Sequence, residues 1–255
     1  MKIIAPSMLS CNFSKLKDEI ELVNSSDAKW FHLDIMDGVF VPNITFGTPI
    51  LEVFKSHAKK HLDMHLMIVN PEKYIKKFAD LDADTITVHH EACNNLPSII
   101  KEIKSLEVKA GIAINPNTKI SVLESIIEQV DLICLMSVFP GFSGQKFIED
   151  TYSRLEKLKN LIINRNSKAL IQIDGGVSIG NSQKLISLGA DILVAGSFVF
   201  KSDNPKEVQP AALNNAFFQI VQAGKSDMEY LAGVYSSAQG DQSQQGDQSQ
   251  QGDQS

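Results

Sequence analysis

Short apolar runs recur along about the first 200 residues, and a segment with helical spacing follows each run. Short apolar strands that alternate with helices are typical of a parallel sheet buried on both faces. The runs predict eight strands, over residues 3–6, 30–35, 63–68, 84–89, 109–114, 132–138, 169–173 and 192–195. Eight such units favour an α/β fold of the (β/α)₈ barrel type, whose functional residues lie at the C-terminal ends of the strands. A doubly wound open sheet has the same periodicity and remains the alternative.

Helical spacing is clear over residues 13–23 and 118–130, and Asn115-Pro116 predicts a helix start just before the second segment. A further helix is predicted to open at Lys146, directly after a glycine-rich segment. These helices would cover the outside of the predicted barrel.

The last part of the chain differs in composition from the rest. We predict a barrel domain over residues 1–224, a linker or irregular extension over 225–239 and a low-complexity tail over 240–255. The tail repeats Gly-Asp-Gln-Ser-Gln-Gln and has no apolar residue, so it cannot offset the entropy cost of ordering. We therefore expect it to be disordered.

Composition narrows the class of protein. A formal charge of −6 gives no reason to expect a nucleic-acid partner, so an anionic ligand would need local backbone N–H groups. The cysteines Cys11, Cys93 and Cys134 form no CxxC pair and follow no secretory signal, which favours a reducing cytoplasm over disulfides or a zinc finger. No apolar run approaches the length of a membrane span.

Polar residues fall where the predicted strands end. Strand alternation puts His32 and Asp34 on one face of the second strand, His65 lies on the third, and Asp174 follows the seventh. Two imidazoles and two carboxylates are a plausible ligand set for a divalent metal. A hydrogen-bonded core residue is the usual explanation for one buried histidine, but four such residues in register favour a site.

Three glycine-rich segments follow the sixth, seventh and eighth predicted strands. They are Pro140-Gly141-Phe142-Ser143-Gly144-Gln145, Gly175-Gly176 and Gly196-Ser197. Each could be a tight turn, but loops after late barrel strands frequently bind phosphate through backbone N–H groups. The dinucleotide fingerprint and the Walker A lysine are absent, which argues against nicotinamide and P-loop chemistry. A phosphorylated small molecule is the favoured ligand.

Several motifs together resemble the ribulose-phosphate 3-epimerase family, in the right order and over roughly residues 2–205. They are Ala5-Pro6-Ser7, His32-Leu33-Asp34-Ile35-Met36-Asp37-Gly38, Phe40-Val41-Pro42-Asn43, His65-Leu66-Met67, Pro140-Gly141-Phe142-Ser143-Gly144-Gln145, Asp174-Gly175-Gly176-Val177 and Ala195-Gly196-Ser197. The resemblance implies a barrel that interconverts D-ribulose 5-phosphate and D-xylulose 5-phosphate through an enediolate in the pentose phosphate pathway. It also implies a homo-oligomer.

The resemblance further implies roles for individual residues. Asp34 and Asp174 would be the acid/base pair, and His32, Asp34, His65 and Asp174 would hold one divalent ion, variously zinc, iron, manganese or cobalt. Met36, Met67 and Met136 would form the cavity wall. The positions implied to contact the substrate are Ser7, His65, Gly141, Phe142, Ser143, Gly144, Gly175, Gly176, Gly196 and Ser197.

The chain departs from the family pattern in the loop after the sixth strand. Phe139 stands where relatives usually carry a polar or acidic residue, and Ser143 stands where glycine is commoner. Three other functions are alternatives. They are a hexulose-phosphate 3-epimerase acting on D-allulose 6-phosphate; a metal-free phosphate-binding barrel, such as a decarboxylase or thiamine-phosphate synthase; and a non-catalytic binding module or scaffold.

Overall fold

The structure is a computed structural model that describes residues 2–200. Eight parallel strands form one sheet, and a bridge between Ser7 and His32 brings the first and second strands together, so that the sheet closes into a barrel. The strands are β1 Ile3–Pro6, β2 Trp30–Met36, β3 His61–Met67, β4 Thr85–His89, β5 Lys109–Ile114, β6 Leu132–Met136, β7 Leu170–Asp174 and β8 Ile192–Ala195. The predicted barrel is confirmed, and the open sheet is excluded.

Helices cover the outside of the barrel. They are α1 Leu16–Ser25, α2 Thr48–His57, α3 Ile75–Ala79, α4 Leu96–Ser105, α5 Thr151–Asn164, α6 Ile179–Ser187 and α7 Ser197–Phe200. Short 3₁₀ turns span Met8–Ser10, Phe13–Lys15, Pro71–Lys73, His90–Ala92 and Ile120–Leu123. The main apolar core lies between sheet and helices, where Ile20, Phe31, Phe54 and Leu155 are fully buried. Burial of such side chains is the main force that holds the helices on the barrel.

The predicted helix over residues 118–130 is wrong. The structure has a single 3₁₀ turn there, Ile120–Leu123, and no α-helix. The segment is rich in β-branched residues, which are weak helix formers. The Arg154 guanidinium also donates hydrogen bonds to the backbone oxygen of Thr118, the first residue of this segment, and to that of Asn115 just before it.

The predicted helix start at Lys146 is also wrong, since α5 begins five residues later at Thr151. The chain before α5 turns back onto the end of β6 instead, and the Ile148 N–H donates to the Ser137 carbonyl at 2.9 Å. The Gln145 side-chain amide donates hydrogen bonds to the carbonyls of Phe139 and Phe142 in the same loop. α5 therefore does not begin directly after this glycine-rich loop.

The predictions for residues 201–255, including the end of the barrel domain, the linker and the low-complexity tail, lie outside the described residues. Within residues 2–200, no helix is both long enough and apolar enough to cross a membrane. Cys11, Cys93 and Cys134 all lie in this range, and each is a free thiol.

Candidate active site

Four side chains meet at the C-terminal rim of the barrel. His32 and Asp34 come from β2, His65 from β3 and Asp174 from the end of β7, and one ligand atom of each lies within 4.8 Å of the others. Asp34 Oδ1 is 3.2 Å from His32 Nε2 and 3.1 Å from His65 Nδ1. Asp174 Oδ2 lies 3.5 Å and 3.4 Å from the same two nitrogens. This cluster, called the His/Asp cluster below, could hold a metal ion.

Strand geometry explains why these residues converge. Side chains alternate along β2, so His32 and Asp34 share the inner face while Leu33 packs in the outer apolar layer. Asp34 is the direct register partner of His65 on β3. The parallel strands end at the same rim, which brings Asp174 from the opposite side of the barrel to the same point.

Ser7, which the resemblance implied as a substrate contact, donates its hydroxyl to Asp34 Oδ2 at 2.6 Å. The two oxygens of Asp34 therefore have different surroundings: Oδ1 faces the imidazoles of His32 and His65, and Oδ2 faces Ser7. The bond also fixes the carboxylate, because Ser7 lies at the end of β1 and is itself buried.

A second layer of polar residues lies behind His32. Its Nδ1 is 2.7 Å from Asp63 Oδ2, and the Gln172 amide donates to that same oxygen at 2.6 Å. When His32 is neutral, such a contact holds its proton on Nδ1 and leaves the lone pair of Nε2 for an ion in the cluster. Sequence analysis missed Asp63 and Gln172, although strand alternation with His65 and Asp174 was a signal that could have found them.

His65 is supported differently, by another imidazole. Its Nε2 lies 2.9 Å from His89 Nε2, and His89 Nδ1 lies 3.4 Å from Glu91 Oε2. Burial lowers the pKa of His89 to about 4. The sequence placed His89 at the end of β4 but indicated no partner for it, because His65 comes from another strand and the contact with Glu91 depends on how the chain turns after β4.

The charges of the cluster reinforce one another. Burial alone would lower the pKa of His32, but the carboxylates of Asp34 and Asp63 outweigh it and raise that pKa well above its ordinary value. Burial would raise the pKa of Asp34, but the nearby His32 reverses the shift and holds the pKa far below the usual range. The pKa of Asp174 is lowered too, because hydrogen bonds from His32 and His65 outweigh its burial. Both carboxylates are anionic at neutral pH, and a cation would displace protons from the imidazoles.

A cavity opens directly above the cluster. Asp34 and Asp174 reach its floor, whereas His32 and His65 are fully buried beneath it. The other predicted site residues that line it are Ser7, Met36, Met67, Met136, Gly141, Phe142, Ser143, Gly144, Gly175, Gly176, Gly196 and Ser197. Four further lining residues were named neither as site residues nor in any motif: Leu9, Ser10, Val138 and Val194.

The wall opposite the cluster is built from backbone rather than from charged side chains. No lysine or arginine lines the cavity among residues 2–200. Gly175 has φ of +114°, and a Cβ there would lie 2.3 Å from Val138 Cγ2, so only glycine fits at this position.

The Ser10 Oγ is buried and has no hydrogen-bond partner in the described part of the chain. Such a hydroxyl needs a partner from a ligand or from water.

Comparison with known proteins shows the family to which the sequence is similar. The family model described as "Ribulose-phosphate 3 epimerase family" matches residues 3–200. The ribulose-phosphate 3-epimerase of Bacillus subtilis is 43% identical over 207 residues, which make up 80% of this chain and 95% of that protein. The ribulose-phosphate 3-epimerase of Synechocystis is 42% identical over 215 residues, or 84% of this chain and 94% of that protein.

Among solved structures, a mutant tryptophan synthase alpha-subunit from Pyrococcus furiosus matches with a TM-score of 0.64 at 15% identity, over 87% of this chain and 98% of that one. That similarity concerns the fold alone. Fold and site define a barrel enzyme that works at the C-terminal rim of its strands. The sequence similarity is more specific: the chain belongs to the ribulose-phosphate 3-epimerase family, and the names of its relatives describe carbohydrate epimerases.

Proposed function

We propose that this protein interconverts D-ribulose 5-phosphate and D-xylulose 5-phosphate by moving a proton at carbon 3. The observation that carries the proposal is the pair of buried carboxylates, Asp34 and Asp174, which come from different strands and face one cavity. Inversion of a stereocentre requires one group that takes the proton from one face and another that delivers a proton to the opposite face. Two carboxylates on distant strands suit that requirement.

In the forward direction Asp34 accepts the proton as a carboxylate. Asp174 donates one, and it must first bind that proton, because its lowered pKa favours the anion. In reverse their roles exchange. Ser7 holds Asp34 Oδ2 through a bond of 2.6 Å, which keeps the carboxylate turned toward the reacting carbon. The low pKa of Asp34 arises in a cluster without an ion, and a neighbouring positive charge would keep the carboxylate anionic in the same way. The wall of Met36, Met67 and Met136 is buried and keeps water from the enediolate.

The donor set of the His/Asp cluster fits a divalent ion. His32, Asp34, His65 and Asp174 would hold it, as two nitrogens and two oxygens that suit zinc, iron, manganese or cobalt. When bound, such an ion supplies Lewis-acid stabilisation of the negative charge that develops on the substrate oxygens. The direct contact between His32 and Asp63 supports this role, because metal-binding histidines usually donate their second N–H to a carboxylate.

The phosphate of the substrate would lie on the glycine-rich side of the cavity. Backbone N–H groups of the segments 141–144, 175–176 and 196–197 can donate to it, as can the hydroxyl of Ser197. The unpartnered hydroxyl of Ser10 is a further donor. With no cationic side chain in the described lining, such neutral donors are the groups available to a phosphate.

Exchange of the substrate's carbon-bound hydrogen with deuterated water tests the acid/base pair. We expect Asp34→Asn and Asp174→Asn each to slow epimerisation by about 10²–10⁴-fold, because each variant lacks one proton-transfer group. The matched control is Asp82→Asn, since Asp82 is exposed and pairs with Lys55 far from the cavity. Near-normal turnover in either cavity variant, with circular dichroism unchanged, would contradict the two-carboxylate mechanism.

Parallel assays with D-allulose 6-phosphate test the choice of sugar. We expect a higher kcat/KM for D-ribulose 5-phosphate, because the sequence motifs and the names of the relatives both favour the pentose enzyme. A preference for the hexulose phosphate would overturn the pentose assignment while leaving the mechanism in place.

We also infer a reducing, cytoplasmic location from the three free thiols, and a homo-oligomer from the family resemblance.

A further inference from the structure

His65 and His89 meet edge to edge. Their Nε2 atoms are 2.9 Å apart, the ring centroids are 5.0 Å apart and the ring planes differ by 20°. A nitrogen contact this short between nearly parallel rings is an N–H···N hydrogen bond, in which one ring donates and the other accepts. Both rings are fully buried, so water offers neither nitrogen an alternative partner.

The direction of this hydrogen bond follows from the other nitrogen of His65. Its Nδ1 faces Asp34 and Asp174 at 3.1 Å and 3.4 Å, on the side where an ion would lie. A nitrogen that binds a cation must offer its lone pair, so the ring proton of His65 belongs on Nε2. His89 Nε2 must then accept that proton's hydrogen bond, and the proton of His89 must lie on Nδ1.

Glu91 favours the same arrangement from the other end. Its Oε2 lies 3.4 Å from His89 Nδ1 and can accept a hydrogen bond from the N–H there. Its Oε1 accepts hydrogen bonds from the Asn115 N–H, at 2.8 Å, and from the Thr118 hydroxyl. Glu91 is therefore anchored to the loop after β5, and it turns an acceptor toward His89.

We propose that His89 and Glu91 are positioning residues that hold His65 in its metal-binding tautomer. This proposal rests on the metal site of the proposed function. The two imidazoles of the His/Asp cluster would thus be supported unequally: His32 contacts the carboxylate of Asp63 directly, while His65 reaches the carboxylate of Glu91 through a second imidazole. Neither His89 nor Glu91 lines the cavity, so their effect is on the ligand and not on the substrate.

The test measures binding of Co²⁺ alone, by competition with a coloured chelator at fixed pH and without substrate. We expect His89→Leu, which removes the acceptor, to weaken Co²⁺ binding by about 10–100-fold and to change the visible spectrum of the bound ion. His89→Gln can place an amide oxygen near the position of Nε2, and it should recover most of the affinity. The matched control is His90→Leu, at the adjacent half-buried position, which should bind as the unaltered protein does.

Tight Co²⁺ binding by a folded His89→Leu variant would overturn the inference. If that variant does not fold, Glu91→Ala decides: unchanged affinity overturns the inference, and weakened affinity with an unchanged unfolding midpoint of the metal-free protein supports it. Absence of Co²⁺ binding by the unaltered protein would be a different result. It would overturn the metal site of the proposed function, and this inference with it.

Discussion

Gly111 lies where β5 passes closest to the side chains of its two neighbouring strands. A Cβ at this position would be 2.2 Å from Thr87 Oγ1 and 3.0 Å from Leu132 Cδ2, and both neighbours are buried. We expect Gly111→Ala to lower the free energy of unfolding by about 1–3 kcal/mol, because a well-packed interior has no room for the methyl group. Urea unfolding followed by circular dichroism measures the change.

The matched control is Gly47→Ala, because a Cβ there would meet no atom within 4 Å. That variant should change the free energy of unfolding by about 0.5 kcal/mol or less. Removing the crowding atom should relieve the clash, so Thr87→Ala combined with Gly111→Ala should cost less than the sum of the two single changes. Strictly additive effects would contradict the steric explanation.

Residues of the site differ in how far the sequence could predict them. The sequence predicts that His32, Asp34 and Asp174 lie together, because strand alternation and strand ends are visible in it. Asp63 has the same alternation as His65, but nothing in the sequence says that it pairs with His32. The partnership depends on the register of the neighbouring strands β2 and β3, in which His32 and Asp63 lie side by side, and that register appears only in three dimensions.

At the scale of elements, Arg154 holds α5 to the barrel. Its buried guanidinium donates to the carbonyls of Met136, Asn115 and Thr118 at 3.1, 2.7 and 3.2 Å. We expect Arg154→Met to lower the free energy of unfolding by about 2 kcal/mol or more, because buried carbonyls lose their donors. Arg154→Lys should recover only part of the loss, since an ammonium lacks the planar fork. Chemical denaturation of both variants gives the comparison.

Arg165→Met serves as the control for lost side-chain charge, because Arg165 is largely exposed and lies 3.8 Å from Glu124. Its effect should be about 0.5 kcal/mol or less. Equal destabilisation by Arg154→Met and Arg165→Met would show that the three carbonyl contacts contribute nothing specific.

Arg154 also shows why element boundaries were harder to predict than the elements themselves. Apolar periodicity indicated the strands within a few residues, because burial on both faces leaves a strong signal. The same periodicity wrongly indicated a helix over residues 118–130, where a distant side chain claims the carbonyls of Asn115 and Thr118. Local pattern cannot register a hydrogen bond from 36 or more residues away.

At the scale of the whole molecule, the His/Asp cluster joins parts of the barrel that are far apart in sequence. His32 and Asp34 belong to the second strand and Asp174 ends the seventh, so the unfolded chain cannot present them together. An ion bound by the cluster should therefore stabilise the folded state alone. At a free concentration of 100 times its Kd, the gain is about 2.7 kcal/mol, or roughly 5–10 °C in Tm for a domain of this size.

Thermal unfolding scans of chelator-treated protein, with and without added Zn²⁺ or Co²⁺, measure this gain. Asp174→Asn should lose most of the shift because it removes an anionic ligand, whereas Asp82→Asn, at an exposed position, should keep it. Stabilisation that persists in full in Asp174→Asn would mean that the ion binds elsewhere on the chain. The four convergent side chains would then be a hydrogen-bonded polar core, and proton transfer by Asp34 and Asp174 would have to proceed without a cation between them.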